Sequence, residues 1–416
     1  MDLKTTPQKS GGSERPGRKP QLKALTGLRF LAAMQVLVLH NGFFFSDNVV
    51  RPAQPFLVAA PLWIQNIAAS GGVGVGLFFV LSGFILSYNY FDELVDGRID
   101  RRSFWVARLA RIYPVYIFSL LFAYPIFLRE ALVHQNSLRD AGILLGYGTA
   151  AAVTLLQSWL PQTAMLLNPP GWSLSVEAFF YVMFPFLVVR LVRLPLRKLA
   201  VVGVLCWVAS ISFSLVYIVA NPDGMGSGSA ATDAFWMNLL KFNPLIRFPE
   251  FVIGMVVGRI YLATGKAIEA KGGIISITAS VIIVTLLALS STIPYPLIHN
   301  SLLAPAFAAL IFGLASNRGF LASFLSLRVL VLLGEASYAL YLTHLPLSRY
   351  MNKLVKMYGI DGFTSVSFFI IYTVTAIIVS IVVLKVIEDP ARRAIRRLFG
   401  RVANRTPQVI LQKSSG

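Results

Sequence analysis

Apolar residues along this chain arrive in long, nearly unbroken runs. They do not show the two-residue alternation of half-buried strands. Eleven runs stand out, near residues 25–45, 71–91, 112–129, 141–160, 172–190, 199–219, 244–262, 273–290, 301–316, 329–348 and 364–387. A helix rises about 1.5 Å per residue, so about 20 apolar residues cross ~30 Å of hydrocarbon. The runs therefore predict an all-α membrane bundle. No repeat of 20–50 residues is evident. The organisation expected is a disordered polar tail over 1–21, a membrane domain over 22–390 and a basic tail over 391–416.

The charges between the runs refine the count. Eleven crossings would put the two ends on opposite sides, yet both ends are rich in Lys and Arg, which collect on the cytoplasmic side. Treating 141–160 as a non-crossing element gives ten crossings with both termini cytoplasmic. That arrangement places 27 of the 37 Lys and Arg inside and 7 outside. If 141–160 crosses, the split becomes 15 inside and 19 outside. Gly142, Gly146 and Gly148 suit a close-packed, non-crossing element there.

Composition agrees. The chain is 56% hydrophobic and 13% charged, with a mean hydropathy of +0.69. Bilayer tails can cover that much apolar surface, whereas a soluble domain cannot hide it. The net charge of +19 reads as topology signal and anionic-lipid contact. No nucleic-acid motif accompanies it. The one cysteine, Cys206, excludes an internal disulfide and reads as a small buried hydrophobe. No metal-ligand spacing appears.

Ionisable groups inside apolar runs are costly and mark function by default. Arg29 and His40 share the first run. Eleven steps of 100° bring them to within about 20° of one face, ~16 Å apart along the axis. Glu177, in PPGWSLSVEAFFYVMFPF, follows a chain break with Trp172 at an interface and Ser173 as a cap. The topology puts Glu177 at the depth of His40, where a carboxylate can fix an imidazole as a general base. It reads equally as an interhelical contact. Arg108 and Arg111 share a helix face; the pair reads as a phosphate fork or as positive-inside anchoring. Arg247 and Glu250 read as a structural i,i+3 pair. Glu335 and Lys385 lie near helix ends. Tyr338, Tyr341 and His344 recur every third residue and read as cavity lining or as packing. The stretch SGGVGVGLFFVLSGFILSYNY lacks the setting of a phosphate loop and reads as close helix contact.

Seven stretches, in order, resemble the integral-membrane acyltransferase type 3 family: LKALTGLRFLAAMQVLVLH, GVGLFFVLSGFILS, RLARIYPVY, PPGWSLSVEAFFYVMFP, RFPEFVIGMVVGR, LGEASYALYLTHLPL and VIEDPARR. The resemblance implies a bundle of about ten helices in a bacterial inner membrane. Such a protein takes an acyl group, by family frequency acetyl, from cytoplasmic acyl-CoA as co-substrate. It gives the group to an acceptor hydroxyl, often on a surface or exported glycan or a lipid-linked sugar. The family's Arg-x10-His pattern falls on Arg29 and His40, its Arg-x-x-Arg pattern on Arg108 and Arg111, and its Ser-x-Glu pattern on Ser175 and Glu177. It implies His40 and Glu177 as catalytic and Arg29, Arg108 and Arg111 as contacts for the CoA moiety. Trp172, Ser173, Ser175, Tyr338 and His344 are the expected substrate contacts. Some relatives carry an added outer hydrolase-like domain, which this chain is expected to lack. The alternatives are a proton-coupled transporter, an assembly protein without chemistry, or an acyltransferase acting on a small metabolite or lipid. An acyl-enzyme relay also stays open beside direct transfer.

Overall fold

The computed structural model describes residues 19–46, 48–98, 100–359 and 362–403. Of the two expected tails, residues 1–18 and 404–416 lie outside the described residues. The principal helices are α1 (Lys23–Gly42), α2 (Val73–Val95), α3 (Arg101–His134), α4 (Leu138–Val153), α5 (Trp172–Leu191) and α6 (Leu196–Ala220). They continue as α7 (Pro244–Ile268), α8 (Gly272–Ala288), α9 (Ala304–Ala315), α10 (Arg328–Lys356), α11 (Val366–Val383) and α12 (Asp389–Ala403). A hairpin of β1 (Phe43–Ser46) and β2 (Val49–Pro52) follows α1, with Phe43 opposite Pro52 and Ser46 opposite Val49.

Among the described residues, nine helical segments are long and apolar enough to cross a membrane. Helix α7 has 25 residues and matches them in length, but Arg247, Glu250 and Arg259 lower its apolar character. Among the described residues α7 would be the tenth by length alone, against the ten crossings that the charges favour. The run at 141–160 is not one of them. Helix α4 has 16 residues, ~24 Å of rise, and ends at Val153. Leu155 then takes a left-handed backbone, φ 57°, and the chain runs without regular structure to Pro169. The glycines there do not do what their spacing suggested. A methyl added at Gly142 or Gly146 would meet nothing within 4 Å; Gly148 alone packs, against Phe127.

Helix α3 is much longer than the apolar run 112–129, because the chain is already helical from Arg101. Asp100 caps it, accepting from the Ser103 amide at 2.8 Å. Bonds from the Ser103 hydroxyl and amide hold the Asp100 carboxyl below its ordinary range. The glycine-rich stretch does give close helix contact. A methyl added at Gly83 would strike the Phe251 carbonyl oxygen, and one at Gly254 the Val80 carbonyl oxygen. Backbone-to-backbone contact of this kind locks α2 against α7. Helices α1 and α10 are locked likewise, with Gly334 against the Thr26 carbonyl. The Arg247–Glu250 pair is present at 3.0 Å, with both side chains almost fully buried between α2 and α7. Glu335 is exposed, and Lys385 lies 3.5 Å from Asp389 near the start of α12.

Candidate active site

Helices α1, α2, α3, α5 and α10 enclose a cavity of about 120 Å³. Its charged lining is Arg29 from α1, Arg108 and Arg111 from α3, and Glu177 from α5. Ser82, Tyr181, Ser173, Ser337, Tyr338 and Tyr341 add hydroxyls, and Phe78, Phe79, Val75 and Leu174 form an apolar part. The two arginines of α3 face inward because positions three apart share a helix face. Arg108 is 7% exposed. Its guanidinium lies 4.8 Å over the Tyr90 ring and donates to Tyr90 Oη at 2.6 Å. Its Nε has no hydrogen-bond partner. Among the described residues, none of the three arginines has a carboxylate within 4 Å. Of the carboxylates near these three arginines, Glu177 lines the cavity, and Glu388, buried close by, is paired with Arg392, so the lining itself is electropositive.

Glu177 is held on the cavity wall. Its Oε1 accepts from Ser82 at 3.0 Å and from Tyr181, one turn along α5, at 2.5 Å. The expectation that Glu177 orients His40 is therefore not met: the carboxylate is taken up by hydroxyls of α2 and α5. His40 pairs instead with a second histidine. Its Nδ1 lies 3.2 Å from His344 Nε2 and 3.0 Å from the Val36 carbonyl oxygen. His344 Nδ1 lies 2.7 Å from the Tyr341 carbonyl oxygen. A carbonyl has no proton to give, so both Nδ1 atoms carry one. His344 Nε2 is then the acceptor for His40 Nδ1–H. This leaves His40 Nε2 with a free lone pair, and among the described residues it has no protein partner.

His40 is not part of the cavity wall. The Tyr341 ring lines the cavity and is 6.1 Å from the His344 ring, which is 5.1 Å from that of His40. The histidines thus lie beyond the apolar end, with Phe45 of the hairpin 6.0 Å from the His40 ring. The near-common face of Arg29 and His40 holds, but one lines the cavity and the other sits past it.

Other expected positions divide. Ser173 lines the cavity, yet it does not cap α5; its Oγ donates back to the Pro170 carbonyl at 3.1 Å. Tyr338 lines the cavity and donates to the Ile112 carbonyl at 2.7 Å. Trp172 is buried at 6% exposure and packs on Phe79 and Phe242, so it marks no membrane interface. Ser175 is taken up structurally, donating to the Leu155 carbonyl at 2.6 Å and accepting from the Ser158 amide at 3.3 Å. Those bonds anchor the irregular segment 154–168 to α5. Asn168 from that segment donates to the Leu342 carbonyl at 3.0 Å, which Pro346 four residues on leaves without its helical partner. Ser82, Tyr90 and Tyr181 were missed. Tyr181 was findable, since it stands four residues after Glu177 on the same face; Ser82 and Tyr90 carried no sign beyond being polar in an apolar run. Among the described residues no three His, Cys, Asp or Glu side chains gather as a metal site.

Membrane-length helices around a cationic internal cavity define a multi-pass membrane protein with a polar site enclosed by the bundle. The chain belongs to the integral-membrane acyltransferase type 3 family: the family model described as an acyltransferase domain matches residues 22–385. It is an acyltransferase. The chain is 32% identical to acyltransferase MdmB of Streptomyces mycarofaciens, over 82% of each chain. It is 24% identical to O-acetyltransferase OatA of Staphylococcus aureus, over 89% of this chain. It spans 57% of the length of OatA. No solved structure matches.

Proposed function

We propose that the protein moves an acetyl group from cytoplasmic acetyl-CoA to a hydroxyl of a sugar, on an exported glycan or its lipid-linked precursor, in the bacterial inner membrane. The observation that carries this reading is the group of three arginines without carboxylate partners around one internal cavity. Guanidiniums with no carboxylate within 4 Å inside a membrane bundle suit a ligand that brings its own negative charges, and planar forks match phosphates. A volume of about 120 Å³ is below the ~300–1,000 Å³ of sites that enclose a whole drug-sized ligand. The cavity thus suits the thioester arm, with Arg108 and Arg111 meeting phosphate groups and Arg29 guiding the arm towards the histidines.

In this scheme His40 Nε2 takes the proton of the acceptor hydroxyl as the oxygen attacks the thioester carbonyl carbon. The carbon–sulfur bond breaks, and the CoA thiolate leaves and receives that proton from the His40 imidazolium. Charge balances without a further reactant. The role for Glu177 is partial counter-charge to the arginines, with Ser82 and Tyr181 fixing its carboxylate.

The test is purified protein in lipid nanodiscs with labelled acetyl-CoA and a sugar acceptor, following CoA release and acetylated product. His40→Ala should abolish turnover while the protein still assembles. Full turnover in that variant, or no CoA release by the wild type with any sugar, would overturn the proposal. Loss of acetyl from the surface glycan when the protein is removed is the matching observation in cells.

A further inference from the structure

We infer that His344 is the positioning residue for His40: its Nε2 accepts from the same Nδ1–H that the Val36 carbonyl keeps protonated, and so fixes the orientation of the ring whose Nε2 is the base. The inference rests on the reading of His40 as base and replaces the expectation that His344 touches substrate. Three observations support it. His344 is 1% exposed, which leaves it little surface to offer a sugar or an acyl chain. Its Nδ1–H is committed to the Tyr341 carbonyl, so its Nε2 can only accept, and the proton within reach is that of His40 Nδ1 at 3.2 Å. Its own backbone is fixed from outside α10, where Tyr372 Oη donates to the His344 carbonyl at 2.9 Å.

The pair is set by the packing of α1 on α10. Gly334 allows the two backbones to touch near one end. Near the other, Ser348 Oγ donates to Asn41 Oδ1 at 2.8 Å, one residue after His40. Ala33, Leu37 and Leu340 fill the space between. The Val36 carbonyl also accepts from Nδ1–H, but it belongs to the same helix and cannot turn the ring relative to α10. When His40 Nε2 takes a proton, the ring becomes a cation, and the Nδ1–H bond to His344 Nε2 becomes charge-assisted and stronger. His344 thus favours the protonated base where an acyl transfer needs it. Partners that orient a metal-bound histidine are worth about 10–100-fold when removed, and the same range is expected for His344.

The test uses three variants in the full chain in nanodiscs. In His344→Phe, which keeps a ring and loses the acceptor, kcat should fall by about 10–100-fold with the KM for acetyl-CoA within twofold. His344→Gln places an amide oxygen near the Nε2 position and should recover most of kcat. Thermal stability and monodispersity of each variant separate these effects from misassembly. Wild-type kcat in His344→Phe, or a raised acceptor KM at unchanged kcat, overturns the positioning role and leaves the base reading standing. A Gln variant no better than Phe also overturns it. Full activity in His40→Ala overturns the base reading, and the inference with it.

Discussion

Arg108 spends one nitrogen on Tyr90 and sits over the ring, and its Nε stays unpaired in a buried wall. An ammonium could not keep that geometry, because stacking and a fixed fork belong to the guanidinium alone. Arg108→Lys should therefore raise the KM for acetyl-CoA about tenfold with kcat little changed, as steady-state kinetics will read; an unchanged KM removes Arg108 from the donor site. Glu177 offers the opposite test. Glu177→Gln keeps an acceptor for Ser82 and Tyr181 but removes the one carboxylate in the cavity lining, among three arginines. Even well-screened charges a few ångströms apart interact by ~1 kcal/mol, about fivefold in affinity. CoA should therefore inhibit this variant at severalfold lower concentration, and an unchanged inhibition constant would separate Glu177 from the anion site. At this scale the sequence was a partial guide. Arg29, His40, Arg108, Arg111 and Glu177 stood out because charge in an apolar run is expensive. Which of them meet was not legible, since partners such as His344 for His40 and Ser82 for Glu177 come from helices distant in the chain.

Helix α2 meets α7 backbone to backbone, so the glycines at that contact are structural. Gly254→Ala puts a methyl into the Val80 carbonyl, an atom that cannot rotate away. Overpacking of this sort costs about 1–3 kcal/mol or more. A thermal-shift assay in detergent should show the melting temperature fall by several degrees, while Gly142→Ala, which faces open space inside a helix, should leave it unchanged or raise it slightly. Equal effects would mean that the contact is not the one described. Apolar runs located most of the long helices well, because twenty residues without charge admit little else. They failed where helix and hydropathy part company. The amphipathic start of α3 is helical but polar enough to fall outside the run, and it carries both Arg108 and Arg111. The segment 154–168 is apolar enough to resemble a helix but is not one. Its backbone is satisfied in part by Ser175, which bonds the Leu155 carbonyl and the Ser158 amide, and by Thr163, which donates to the Gln157 carbonyl, bonds that hydropathy cannot register.

For the whole molecule, if the nine apolar segments and α7 all cross, the α5–α6 turn lies on the same side as both chain ends. A reporter fused after Pro195 should give a cytoplasmic signal; an extracytoplasmic one would overturn the count and the direction of donor entry together. The buried Arg247–Glu250 pair also bears on how the chain is made. Each charge at the centre of a lone helix costs about 2.5–3.5 kcal/mol during insertion. Helix α7 carries Arg247 and Glu250 within its first two turns and Arg259 near its middle, and the shelter of the first pair is Gly76 of α2 together with His299 and Asn300 beyond α8. Presented alone to the insertion machinery, the segment 244–268 should fail to integrate, whereas the same segment with Arg247→Leu and Glu250→Leu should enter, as a glycosylation-site assay would report. Nascent α7 must then be handed to helices already in place, and the last turns of its neutralisation must wait for residues some fifty positions further along the chain. Membrane entry and tertiary folding, separable steps for most of this bundle, become a single step for this helix.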